Sequence, residues 1–146
     1  GRTAVHRAAF ADNLKLLDMM LAHGADPNAR DLAGSTPLRD ALLARSRPLE
    51  KLKMLLAAGA DPNALGAHGD RPLFTAARTN NGRAILILLE AGASPHVQTS
   101  TGETFQSLYF GYNTAILNER GLAERREVAE WLRQHGIALE SGFEAE

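Results

Sequence analysis

The chain has 146 residues, a formal net charge of −1 and no cysteine. Without cysteine it has no disulfide, thiolate metal site or cysteine nucleophile, and the near-neutral charge gives no reason to expect a nucleic acid or a membrane surface as partner. No apolar run approaches the ~20 residues that a transmembrane helix needs. No signal peptide is visible, although the removal of one stays open.

An internal repeat organises the sequence. The hexapeptide Gly-Ala-Asp-Pro-Asn-Ala occurs at 24–29 and 59–64, and a weaker copy, Gly-Ala-Ser-Pro-His-Val, occupies 92–97. The glycines that open these copies are 35 and then 33 residues apart, and Gly136 follows 44 residues later. A fixed period near 33 predicts stacked units, each of which buries its apolar face only against its neighbours.

A pair of helices is predicted in each period, beginning near the N-terminus. Thr3 and Thr36 stand where a hydroxyl can cap a first helix, and Pro37 suits the first helical position, where no backbone donor is needed. Small residues such as Ala8 and Ala9 let the next helix approach closely. The second helices carry apolar residues at helical spacing, namely Leu17, Met20 and Leu21; Leu52, Leu55 and Leu56; Ile85, Leu88 and Leu89.

Glycines mark the ends of the second helices, because a left-handed residue ends a helix at little cost, and Asp-Pro-Asn then turns the chain outward. The resulting units are 1–32, 33–67, 68–100 and 101–140, followed by a short acidic tail at 141–146. We place two extra residues of the second unit in the loop 44–49. We place the longer insertion of the fourth unit near 111–126, in a loop or a lengthened helix.

Basic residues cluster around the loop of the second unit, at Arg45, Arg47, Lys51 and Lys53. They could meet an acidic partner or a phosphate. No aromatic residue is interleaved with them, as recognition of single-stranded nucleic acid would require. We therefore interpret the group as a solvated loop.

The fourth unit is rich in aromatic residues, with Phe105, Tyr109, Phe110 and Tyr112 inside eight positions. One interpretation is a cap, in which large side chains fill the end of the core and the insertion covers it, because terminal repeats are atypical. The other is a partner contact, since exposed aromatic residues are common in binding hot spots. Burial of Tyr109 and Tyr112 would weaken the second interpretation.

No constellation for catalysis is visible. The five histidines are scattered without metal-ligand spacing, and the phosphate-binding loop, the dinucleotide fingerprint and the nucleophile elbow are all missing. The recurring Asp-Pro-Asn segments follow the turn and do not suggest a site. The sequence therefore predicts no enzyme activity, no cofactor and no metal.

A second block recurs before each helix pair: Thr-Ala-Val-His-Arg-Ala-Ala at 3–9, Thr-Pro-Leu-Arg-Asp-Ala-Leu at 36–42, Arg-Pro-Leu-Phe-Thr-Ala-Ala at 71–77 and Thr-Phe-Gln-Ser-Leu-Tyr-Phe at 104–110. These blocks resemble the Thr-Pro-Leu-His-x-Ala-Ala pattern of the ankyrin repeat, and together with the glycine turns the resemblance covers nearly all of 1–140. It implies an all-α fold, an α-solenoid of helix-turn-helix units joined by hairpin fingers. It also implies that His6 is a structural histidine that bonds backbone in the turn.

The resemblance further implies where a partner would bind, because ankyrin-like proteins use their hairpin fingertips and the concave side of their first helices. Carried over by position, the implied contact residues are Arg30, Leu32, Ala33 and Ser35 in the first finger, Leu65, Ala67, His68 and Asp70 in the second, Gln98, Ser100, Thr101 and Glu103 in the third, and Phe10, Leu43, Arg78 and Thr79 on the first helices. Exposed together, the apolar members Phe10, Leu32, Leu43 and Leu65 would form an interface patch.

Some positions depart from the ankyrin pattern. Arg39 and Phe74 replace the turn histidine and Arg71 replaces the capping threonine. We therefore expect the turns around Asp70 to be held less firmly than the others.

The function implied is a noncatalytic module that binds a protein or peptide, with no nucleic acid or membrane partner and a monomeric state when alone. An alternative is the targeting part of a larger enzyme or bacterial effector whose active domain lies outside this chain. Arginine outnumbers lysine 13 to 3 and alanine is abundant, which is typical of a GC-rich, bacterial genome. We expect a cytoplasmic location.

Overall fold

The computed structural model describes residues 2–111, 113–140 and 142–143. Within these ranges the chain forms eight α-helices and two 3-10 turns and no β-strand. The 3-10 turns are Ala67–Gly69 and Thr114–Ile116. The helices are α1 (Ala4–Phe10), α2 (Leu14–Ala22), α3 (Pro37–Leu42), α4 (Pro48–Ala57), α5 (Pro72–Arg78), α6 (Gly82–Glu90), α7 (Phe105–Phe110) and α8 (Glu119–Gln134). In the part of the chain so described, none of the helices has the length and apolar character to cross a bilayer.

The helices stack in two rows. The first helices α1, α3, α5 and α7 pack in succession, and so do the second helices α2, α4, α6 and α8. Within the first three pairs, each first helix also packs against its own second helix. Both rows contribute to one continuous hydrophobic core, which confirms the all-α solenoid.

Alanines in the first helices allow this close packing. Ala8, Ala41 and Ala76 occupy the same position in α1, α3 and α5, and all three are fully buried. Because a methyl group is the smallest side chain that can fill the position, the second helix can lie directly against the first. The predicted apolar faces are confirmed in the same way, since Leu17, Leu52, Leu55, Ile85 and Leu88 are fully buried.

The recurring asparagines tie neighbouring units together. The side-chain amide of Asn28 donates to the carbonyl of Gly59 (2.9 Å), and its oxygen accepts from the backbone N–H of Asp61 (2.7 Å). Asn63 repeats both bonds one unit later, to Gly92 (2.9 Å) and Ser94 (2.8 Å). The structural role predicted for the repeated turn is thereby confirmed.

The helix starts differ in part from the prediction. Proline occupies the start of α3 and α5, as expected. Pro48 also begins α4, so the loop predicted at 44–49 ends before it. The expected threonine caps are wrong, because neither Thr3 nor Thr36 caps its helix through its side chain. The Thr3 hydroxyl instead contacts Nδ1 of His6 (2.8 Å).

Lys51 shows that the basic group of the second unit is not simply a solvated loop. Its side chain is buried in α4, and its ammonium group donates to the carbonyl of Ala11 in the preceding unit. Burial lowers the pKa of Lys51. The equivalent positions Ala84 and Val128 are also buried, whereas Leu16, in the first unit, is exposed. These positions therefore face the preceding unit.

The fourth helix pair is built differently. Its extra residues fall partly in the loop 111–118 and partly in α8, which has 16 residues against nine in α6. Tyr109 stands at the position that alanine occupies in the first three units, and its side chain is buried. Because of this larger side chain, α8 cannot approach α7 as the earlier second helices approach their first helices. Arg125 of α8 spans the gap by donating to the carbonyl of Tyr109 (2.9 Å).

The C-terminal segment closes this end of the stack. Gln106 donates to the carbonyl of Ala138 (3.2 Å) and accepts from the backbone N–H of Glu140 (3.1 Å). Phe143, in the predicted tail, stacks on Phe110 with ring centroids 6.1 Å apart. Phe105 and Tyr109 lie in the core, which removes them as surface contacts and supports the cap. Tyr112, Ser141 and 144–146 lie outside the described residues.

Replacing Asn63 by alanine tests the links between turns. The change removes both bonds from the loop to the next unit, so we expect the free energy of unfolding to fall by about 1–3 kcal/mol in urea titrations. His96 occupies the same position in the third unit and is exposed; His96→Ala should change stability by less than about 0.5 kcal/mol. Equal effects of the two changes would contradict the proposed ladder.

Replacing Gly82 by alanine tests the packing of the fourth pair. A Cβ atom there would clash with the Tyr109 hydroxyl and lie 2.7 Å from Cβ of Glu124, so we expect a loss of about 1–3 kcal/mol. In α8, a Cβ at Gly121 would make ordinary 3.5 Å contacts, and Gly121→Ala should stabilise by about 0.5–1 kcal/mol. Tyr109→Phe should partly rescue Gly82→Ala in thermal unfolding, and a stable Gly82→Ala protein would refute the packing.

Candidate functional site

Three hairpin fingers, at 30–35, 65–70 and 98–103, connect the helix pairs. Each closes through the same backbone bond, from Asp31 to Ser35 (3.1 Å), from Gly66 to Asp70 (2.7 Å) and from Thr99 to Glu103 (2.8 Å). Gly34, Gly69 and Gly102 hold the equivalent position with φ of 76°, 76° and 82°. These values lie in the region that only glycine adopts readily, so the fingers share one geometry.

Side chains of the first helices fasten the fingers. His6 is buried, and its Nε2 contacts the carbonyl of Ser35 in the first finger (2.9 Å), which confirms its structural role. Arg39, at the equivalent position, reaches Asp70 in the second finger with its Nε (3.4 Å). Arg71 donates to the carbonyl of Asn63 (2.6 Å). The expectation of loosely held turns near Asp70 is therefore wrong, because other side chains replace the missing histidine and threonine.

Asp70 collects three partners on one carboxylate. Arg78 Nη1 lies 2.8 Å from Oδ1, while Oδ2 accepts from the Thr75 hydroxyl (2.8 Å) and lies 3.4 Å from Arg39 Nε. Arg39, Thr75 and Arg78 belong to α3 and α5. The carboxylate thus joins two first helices to the finger between them.

A groove of about 360 Å³ lies between the second and third fingers. Arg39 and Arg78 reach it from the first helices, and the fingers supply the other walls. The lining residues are Arg39, Ala67, His68, Gly69, Asp70, Arg78, Thr99, Ser100 and Thr101. Six of the predicted contact residues meet here. Arg39, Gly69 and Thr99 were missed. Arg39 stands at a position where the ankyrin pattern places a structural histidine.

The four apolar residues singled out in the sequence are all exposed. Leu32 is 91% exposed, and the exposed fractions of Leu65, Phe10 and Leu43 are 47%, 46% and 38%. Arg30 joins the first two fingers by donating to the carbonyl of Leu65 (2.6 Å). Ala33, Gln98 and Glu103 are also exposed.

Two predicted contact residues do not serve as expected. Ser35 is buried, so its prediction as an accessible contact residue is wrong. Ser35 lies at the base of the finger, where its carbonyl contacts His6. Thr79 is exposed, but its hydroxyl donates back to the carbonyls of Thr75 (3.0 Å) and Ala76 (3.1 Å). Thr79 also lines a different cavity.

That second cavity, of about 610 Å³, lies at the loops between the helices of the second and third units, and the insertion forms one wall with Ile116 and Leu117. Its charged residues are paired within the described chain, Arg47 with Glu50 (2.8 Å) and Arg120 with Glu124 (3.0 Å). Sequence reasoning placed the insertion but could not find this cavity, because three separate loops build it.

The exposed side chains on the finger side change from apolar to polar along the stack. At the tip of successive fingers stand Leu32, Ala67 and Ser100, while the ends of successive first helices carry Phe10, Leu43, Arg78 and Gly111. Both rows run from apolar in the first unit to polar in the third. The direction is the same in two sets of residues that belong to different elements.

Two acidic groups on this side have their partners within the chain. Asp31 accepts from the backbone N–H groups of Ser35 (2.8 Å) and Ala33 (2.9 Å), and the bond from Ser35 is the main reason that the pKa of Asp31 is lowered. Asp40 is buried in α3, where it meets Arg2 (2.9 Å). Burial raises the pKa of Asp40 despite that arginine.

The stacked helix pairs, shared turns and hairpin fingers define a helical repeat protein of the solenoid class. The sequence matches the ankyrin-repeat family in three copies over residues 5–99. The chain therefore belongs to the ankyrin-repeat family, whose repeats are generally protein-protein interaction modules and typically noncatalytic. The match ends before the fourth helix pair, where Tyr109 and the insertion depart from the pattern. Among the described residues, no group of three His, Asp or Glu side chains could hold a metal ion.

The two aspartates on this side should respond to pH in opposite directions. Because the folded-state pKa of Asp40 is raised, its charge destabilises the protein above that pKa, and the penalty disappears as the pH falls toward its ordinary value of 3.8. Asp40→Asn should therefore raise the Tm at neutral pH, with a difference that closes in acid.

Asp31 provides the control of opposite sign. Its lowered pKa contributes stability above the ordinary value of 3.8, and this contribution is lost as the pH falls through the folded-state pKa. Asp31→Asn should lower the Tm at neutral pH. Thermal unfolding of both variants from neutral to acid pH checks the pair, and an Asp40→Asn protein less stable than wild type at neutral pH would contradict the assignment.

Proposed function

We propose that this chain is a noncatalytic binding module that takes a protein segment across its fingers and the ends of its first helices, the concave face of the stack. The observation that carries the proposal is the exposure of Phe10, Leu32, Leu43 and Leu65 on the first two fingers and at the ends of α1 and α3. The second finger and α3 also border the groove. Isolated exposed apolar residues are common, but four on adjacent fingers and helices support one interface. We expect a monomer when alone, and neither nucleic acid nor membrane as partner.

Preorganisation supports the same function. Arg30, Arg39 and His6 fasten the fingers before any partner arrives. A surface that is already ordered loses little conformational entropy on association, so more of the contact energy appears as affinity. The same surface would also suit the targeting part of a larger enzyme or effector, and the length of the full open reading frame distinguishes that alternative.

Charge substitution of the exposed leucines tests the surface. We expect the double variant Leu32→Asp/Leu65→Asp to lose capture of the partner from the native cell, because each carboxylate would be desolvated at the interface. The Tm should stay within a few degrees of wild type, since both side chains are exposed. Binding is measured by affinity capture with quantitative mass spectrometry, and thermal unfolding is measured on the same preparations.

Met19 supplies the matched control. It is 50% exposed and lies on α2, away from the fingers, so Met19→Asp should retain capture. If the leucine variant captures a partner as well as wild type does, that result would contradict binding at the fingers. Capture lost equally in both variants would point to a surface other than the one proposed.

A further inference from the structure

We propose that the segment bound in the groove is an extended peptide with an acidic residue over Arg39 and Arg78 and an apolar residue over the first two units. This inference rests on the proposed function and adds the chemistry and direction of the partner.

The acidic residue of the proposed peptide follows from the charges that a partner would contact in the groove. Arg39 and Arg78 share the Asp70 carboxylate, yet 40% and 46% of their side chains are exposed against 16% for Asp70. Within the described residues, Arg39 donates to Asp70 only through Nε, so its two Nη groups are not engaged with that carboxylate. A carboxylate is the group that this planar fork binds best.

The surroundings keep that charge positive. Asp40 is buried, and the carboxylate of Asp31 accepts hydrogen bonds from the backbone of its own finger. Glu103 is exposed, but its carboxylate accepts from the hydroxyls of Thr101 (3.0 Å) and Thr99 (3.5 Å) in its own finger. The whole chain carries a formal charge of −1, so the basic groove results from the placement of charges and not from the composition.

The direction follows from the two rows of changing character. Leu32 and Phe10 stand at the first unit, Leu43 at the second, and Arg78 with Ser100 at the third. Arg2, which is paired with Asp40, lies over the Phe10 ring at 5.5 Å from its centroid. A segment lying across the fingers therefore meets apolar side chains over the first two units and guanidinium groups in the groove.

A nucleic acid would also seek arginines, but this surface suits it less well. Backbone recognition of nucleic acid needs cations along a track. At the apolar end, Arg2 is paired with Asp40 and Arg30 donates to the carbonyl of Leu65, beside exposed leucine and phenylalanine. Stacking of bases needs aromatic rings interleaved with the charges. A peptide can contact both the apolar residues of the first two units and the arginines of the groove. We therefore propose a protein segment as the partner.

The test uses the full chain and synthetic peptides in fluorescence anisotropy. The probes carry a Leu-Phe pair and a Glu-Glu pair separated by a short polar spacer, in both orders along the peptide, with matched versions in which glutamine replaces glutamate. An oligothymidylate of equal charge serves as the nucleic-acid probe. We expect at least one order of the glutamate peptide to bind several-fold more tightly than its glutamine version, and the preference to shrink as salt is raised.

Variants then locate the charge. Arg39→Gln should weaken the glutamate peptide about fivefold to tenfold more than it weakens the glutamine peptide. Arg83→Gln removes the same charge from α6, where Arg83 lies 3.8 Å from Glu124, and should affect neither peptide. Leu32→Asp/Leu65→Asp should weaken both peptides.

The outcomes separate this inference from the proposed function. If both peptides bind equally and only the leucine variant weakens them, the groove function stands and the acidic preference is wrong. If Arg39→Gln and Arg83→Gln have equal effects, the charge acts only at long range and the proposed position is wrong. Binding of oligothymidylate as tight as that of the glutamate peptide would favour nucleic acid instead. Binding of none of the peptides would contradict the groove itself.

Discussion

The structure depends on one constraint, which is that a pair of helices this short cannot bury its apolar face alone. Each pair must lie against the next, and the row of alanines at Ala8, Ala41 and Ala76 makes the approach possible. Stacking then repeats the same polar links from one unit to the next, as Asn28 and Asn63 show. Stability in such an array is a sum of neighbour contacts, so the turns matter as much as the core.

The two ends of the stack meet this constraint differently. In the fourth pair, Tyr109 fills the space that alanine leaves open elsewhere, and Gln106 binds the segment that covers the last helix row. In the first unit, Leu16 occupies a position that is buried in every later unit, and there it remains exposed. The C-terminal end therefore has the features of a closed end, whereas the N-terminal face keeps the apolar character of a stacking position.

Local pattern predicted most of the fold. The period, the glycine turns, the proline starts and the apolar faces each depend on residues close in sequence, and each appears in the structure. The burial of Lys51 and the bond from Arg39 to Asp70 depend on partners that lie in another unit, such as Ala11 for Lys51. No local rule contains that information. The same holds for the groove, whose arginines come from two helices and whose walls come from two fingers.

The proposed binding surface and the packing of the stack use largely separate positions in this chain. The stack fixes the alanines, the turn asparagines and the glycines, while the tips of the fingers and the ends of the first helices vary from unit to unit without disturbing it. Asp70 is the exception, because it fastens a finger and also lies between the two arginines of the groove. A partner carboxylate that competes with Asp70 for Arg39 would loosen the finger that it contacts, whereas one that adds to the pair would leave the finger in place. The second arrangement costs less, since 40% of the Arg39 side chain is exposed against 16% of the Asp70 side chain. The geometry therefore favours a partner that extends the existing ion pair over one that replaces it.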